Sequence, residues 1–164
     1  MSLSDVLAIT ALVVSIVSAV FSHRAQRQTT DLQLRETRRE FDRERSEFLV
    51  RIEKSTKLFE KVQEQIAQLL ASIERQPEDV RASVAFRVDQ LKADQSYLEG
   101  CLRQSNALWH ENFEMTHDGL AYHKPRHLGL IENDEEFARA ASDRVDQVTR
   151  ELHQNLAIFH PLGG

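Results

Sequence analysis

Apolar residues from Leu3 to Ser22 form an almost uninterrupted run of 20 positions that covers every face of a helix. At 1.5 Å rise per residue such a helix reaches across a hydrocarbon layer of ~30 Å. The run predicts an N-terminal transmembrane anchor over residues 1–23. A cleavable secretory signal needs a basic segment ahead of its apolar core, and Met1–Asp5 carries an acid and no Lys or Arg. Ala11, Ser15 and Ala19 recur every four residues, which predicts a small-residue face where a second membrane helix approaches.

Beyond the anchor the pattern changes to a period between three and four. Between residues 24 and 76 there is no Gly or Pro, and a long unbroken helix is expected. Ile52, Phe59, Ile66 and Ile73 fall at heptad position a, and Phe41, Phe48, Val62 and Leu69 at position d, with Ser55 as the main break. These eight residues are the expected seam for a partner or for the rest of a bundle. Toward the anchor the same register places Arg38 and Arg45 at a, so residues 24–76 read as a charged juxtamembrane stalk that becomes a coiled-coil helix.

Pro77 followed by Glu78 and Asp79 marks a new helix start, because proline suits a first turn and acids complement its dipole. Val80, Val84, Val88, Leu91, Leu98, Leu102 and Trp109 then predict a second helix over 77–115, antiparallel to the first across a short turn. Residues 116–132 contain Gly119, Pro125 and Gly129 and are expected to form a histidine-rich loop. Asn133 with Glu136 three positions on predicts an N-cap. A third helix over 133–160 would bury Phe137, Ala141, Val145, Val148, Leu152, Leu156 and Phe159, leaving 161–164 as a tail. The expected class is all-α: one transmembrane helix, a stalk, and an antiparallel hairpin or three-helix coiled-coil bundle.

Charge bears on orientation and partners. His23, Arg24, Arg27, Arg35, Arg38 and Arg39 follow the apolar run and no base precedes it. The positive-inside rule then predicts a single-pass cell-membrane protein with its N-terminus outside and its C-terminal domain in the cytoplasm. Residues 23–76 hold 12 Lys or Arg against 10 Asp or Glu, and 77–164 hold 9 against 15. The acidic distal part repels phosphate, so nucleic acid is not an expected partner. A lone Cys101 cannot form an intramolecular disulfide, in keeping with a reducing compartment.

Candidate chemistry concentrates around the expected loop, at His110, Glu111, His117, Asp118, His123 and His127, with His153 and His160 of the third helix as further members. Imidazoles and carboxylates are ligands for divalent metals, and an imidazole near pH 6.5 is a natural pH switch. His117, His123 and His127 are therefore the metal or pH candidates. The spacing matches no established motif, and Pro125 between His123 and His127 predicts that they do not share a helical face. No phosphate loop, HExxH or nucleophile elbow is present, so no catalytic residue and no cofactor is expected. The expected function is a membrane-anchored scaffold, assembly or docking subunit. Its partners would be the lipid bilayer and either itself or another helical membrane or cytoplasmic protein. Two alternatives remain open: an envelope-spanning periplasmic adaptor of opposite topology, and a metal- or pH-responsive membrane sensor built on the histidine-rich segment.

Overall fold

The computed structural model describes the backbone of residues 3–159 and the side chains of residues 12–158. The side chain of Ala11, His160 and the expected tail 161–164 lie outside the described residues. Among the described residues there are four helices and no strand: α1 (Leu3–Glu74), α2 (Glu78–Ser83), α3 (Ala85–Glu114) and α4 (His117–Phe159). Two compact units result, Met1–Glu44 and Arg45–Gly164.

The first unit is the N-terminal portion of α1. Ser15 and Ala19 are exposed on it, and Phe41 is half-buried. No helix among the described residues is long and apolar enough to cross a membrane. This overturns the expected transmembrane anchor over 1–23, and with it the single-pass assignment, the outside N-terminus and the cytoplasmic C-terminal domain. Helix α1 continues without a break into His23, Arg24 and Arg27.

The second unit packs three helical segments side by side. Phe48, Ile52, Phe59, Val62, Ile66, Leu69 and Ile73 are all buried along one line of α1. From Phe59 to Ile73 this line joins a continuous core with Val80 and Val84, with Leu91, Leu98 and Cys101 of α3, and with Ala138, Ala141, Val145, Val148 and Leu152 of α4. Arg45 Nη1 donates to Phe113 O at 3.3 Å, so α1 and α3 run antiparallel. Arg87 pairs with Glu151, and Asp94 with Arg144, so α3 and α4 are antiparallel as well. Ser55 meets Glu135 and Gln65 meets Ser142, so α1 and α4 are parallel.

The turn at Pro77 comes where its chemistry predicts, with Pro77 O accepting the N–H of Arg81 at 3.0 Å. The second helix is nevertheless two pieces, because Val84 leaves the helical region at φ −113° and ψ 8°. A larger difference lies at 116–132. Residues 117–132, expected as loop, are the first turns of α4, and Asn133 lies inside that helix rather than capping it. Leu120, His127 and Ile131 are buried there, continuing at helical spacing the line formed by Ala138, Ala141, Val145, Val148 and Leu152. Pro125 is exposed, as is Ala121, whose carbonyl the proline cannot bond, so water can take up that acceptor.

Ser55, the break in the apolar seam, is buried for a reason carried by α4. Its hydroxyl donates to Glu135 Oε1 at 2.5 Å. Arg51 and Arg139 donate to Glu135 Oε2 at 2.7 and 3.0 Å. A carboxylate with 5% side-chain exposure thus has its charge matched and its lone pairs occupied.

Four variants test this packing. Ile66→Ala should cost about 2–5 kcal/mol in urea unfolding, since Ile66 is fully buried. Gln68→Ala, on the exposed face beside Glu64, should change stability by no more than about 0.5 kcal/mol. Glu135→Ala alone should cost about 3 kcal/mol by stranding the groups that face it. Glu135→Leu combined with Ser55→Ala should recover most of that loss, because Arg51 is 40% exposed and can turn to water. Equal losses in the single and double variants would show that the pair is not what costs energy there.

Candidate metal centre

The α3–α4 connection is two residues long. Met115 is extended at φ −70° and ψ 144°. Thr116 then opens α4 by accepting the N–H of Gly119 on Oγ1 at 3.4 Å and the N–H of Leu120 on its carbonyl at 2.9 Å. So short a turn folds the last turns of α3 against the early turns of α4. It brings Glu111 and Asn112 to His123 and His127.

Because α4 runs straight through Pro125, His123 and His127 stand one helical turn apart on one face. The expectation that Pro125 would separate them is corrected: their rings stack at 5.6 Å with 24° between planes. The ligand atoms of Glu111, His123 and His127 all lie within 4.8 Å of one another. Glu111 is exposed, His123 half-buried and His127 buried, so the cluster opens to solvent on the Glu111 side and ends inside the bundle. His117 is not part of this group. It is exposed on the first turn of α4, with Nδ1 3.4 Å from Asp118 Oδ1. His110 is also exposed, its ring edge-on to Trp109 at 5.3 Å.

His127 is fixed on two sides. Its ring lies 6.4 Å from that of Phe48, nearly parallel. Nδ1 is 3.2 Å from Nδ2 of the buried Asn112, which also donates to Leu108 O at 2.7 Å. With Asn112 donating, Nδ1 is the acceptor and the ring proton sits on Nε2. Burial holds the imidazole below its ordinary pKa; the Glu111 carboxylate opposes that shift, and His123 and Arg126 reinforce it. A ring kept neutral in this way is in the form a metal requires. Asn112 Oδ1, by contrast, is buried and has no hydrogen-bond partner among the described residues.

Asn112 escapes sequence reasoning because one asparagine in a helix is unremarkable. Its only signal is that it continues the apolar line of Leu98, Cys101, Ser105 and Leu108. Glu111 was visible as a neighbour of the histidines, but its pairing with them depends on the two-residue turn.

The single cysteine of the sequence, Cys101, is unreactive. It is buried in the core, and burial, aided by the nearby Asp134 carboxylate, pushes its thiol up to about 12. At pH 8, labelling by a disulfide reagent should be roughly a thousandfold slower in the native protein than in urea, from thiolate fraction alone. Equal rates would place the thiol at the surface.

Compared with known proteins, the chain matches no family model, no curated protein and no solved structure.

Proposed function

We propose that the protein is a non-enzymatic helical scaffold that assembles with further copies of itself through the N-terminal part of α1. The observation that carries this reading is the exposure of the apolar run in the first unit. Leu12 is 62% exposed, Val17 46% and Phe21 65%, and Val13, Val14, Ile16 and Val20 fall in the same range. Apolar side chains lie on every face of this segment, and helices of that kind are stable only when covered. At ~25 cal/mol per Å² the gain from covering them is the largest hydrophobic term open to the first unit.

A second copy carries the same surface, so copies pack around a common rotation axis in a closed bundle. One neighbour covers only one face of a helix, which favours three or more copies over two. Ser15 and Ala19 are small enough to let helix backbones approach closely within such a bundle. Leu32 and Leu34, 58% and 64% exposed further along α1, offer additional contact.

Sedimentation velocity of the full chain over a range of concentrations tests this directly. The protein should sediment as an assembly of three or more copies, and a variant with Val13→Glu, Val17→Glu and Val20→Glu should be monomeric. Trp109 fluorescence should be the same in both, reporting an intact second unit. A monomeric native protein, or a variant of unchanged mass, would overturn the reading.

A further inference from the structure

We propose that Glu111, His123 and His127 bind one divalent transition-metal ion, with zinc the best match, and that the ion ties the end of α3 to the start of α4. Two imidazoles and one carboxylate are borderline donors of the kind zinc takes, whereas calcium and magnesium require oxygen ligands throughout. The single acidic charge with two neutral rings leaves a net positive site when a divalent ion enters. Three protein ligands leave a fourth position for water.

The geometry needs little movement. Tetrahedral zinc with bonds near 2.0–2.1 Å places its ligand atoms about 3.4 Å apart, against the 4.8 Å within which the three now lie. His123 and His127 are already stacked on one helix face. Glu111 is exposed, so its side chain can rotate to close the remaining gap without disturbing the core.

An independent feature of the buried side of the site points the same way. Asn112 holds Nδ1 of His127, which leaves Nε2 as the nitrogen available to a cation. A neutral imidazole that gives Nε2 to a metal carries its proton on Nδ1 and must donate it to an oxygen. The unpartnered Oδ1 of the fully buried Asn112 is that oxygen after rotation of the amide. The rotation gives up the Nδ2 bond to Leu108 O, gains the Nδ1–H bond, and requires Oδ1 to swing away from Leu108 O, because two acceptors cannot keep the present 2.7 Å separation. Asn112 therefore accommodates the ring with either nitrogen protonated and acts as a positioning residue for His127. Phe48 also faces the site, and Arg126 is next in sequence on the exposed side.

The full chain should bind one Zn²⁺ in isothermal titration calorimetry performed with excess Mg²⁺. Glu111→Gln and His123→Asn should each weaken binding by at least about tenfold, with helicity by circular dichroism unchanged because neither residue is buried. His117→Asn should bind as the native chain does. Co²⁺ should give a visible absorption band of tetrahedral intensity in the native protein and lose it in Glu111→Gln. Absence of Zn²⁺ binding by the native chain, or binding that Glu111→Gln and His123→Asn leave unchanged, would overturn the assignment.

Discussion

The buried line of α1 from Phe48 to Ile73 sets the terms for the rest of the second unit. It spans 25 residue steps, about 38 Å of helix, and it is apolar except at Ser55. Partner helices must be long enough to cover all of it. A third helix starting at residue 133 would lie along the line from Ser55 to Ile73 and leave its Phe48 and Ile52 end uncovered. Helix α4 instead begins at His117, and its Leu120, His127 and Ile131 are buried where a loop would have left the Phe48 and Ile52 end open. The local cost is real: about 3 kcal/mol for an interior proline and about 1 for each of Gly119 and Gly129. Burying Leu120 and Ile131 returns roughly 3–6 kcal/mol, and Pro125 sits on the exposed side, where its lost hydrogen bond is least expensive.

Apolar seams of this kind can slide by a turn at little cost, and buried polar pairs are what hold them in one register. Glu135 ties α4 to Ser55 and Arg51 of α1. Asp94, also buried, accepts from Nε and Nη2 of the Arg144 guanidinium at 2.7 and 2.9 Å, and that guanidinium lies over the Phe137 ring. Asn112 and His127 make the third such contact, between α3 and α4. A one-turn slip would strand a carboxylate in the core at either of the first two, a loss of several kcal/mol. The interior is thus specified by a few polar residues that an apolar pattern registers only as gaps.

That distinction explains what spacing could and could not reveal. The all-helical class and the turn at Pro77 are local properties, set by period, by the absence of Gly and Pro from 24–76, and by turn chemistry. The break at Val84 has no such marker, because valine neither ends nor begins helices. The segment 117–132 reads as a loop from Gly119, Pro125 and Gly129, local signals that a tertiary demand overrides, although Leu120, His127 and Ile131 stand at intervals of seven and four. At the N-terminus hydropathy read by itself predicts a membrane span, whereas no helix among the described residues is long and apolar enough for one. Composition cannot say what covers an apolar helix, only that something must.

The candidate centre is a consequence of the same overriding demand. Two histidines four apart are a metal-binding pair only on a helix, and proline between them argues locally against one. Because coverage of the Phe48 end forces α4 to start at His117, the helix runs through Pro125 and the two rings stack. The two-residue turn that makes this early start possible also swings Glu111 of α3 to within reach. His127 faces inward because the seam needs a side chain there, and Asn112 faces it because α3 continues its own buried line. Each ligand is therefore placed by packing. A metal bound there would meet ligands whose backbone positions are already fixed, and only the Glu111 side chain and the Asn112 amide would have to move.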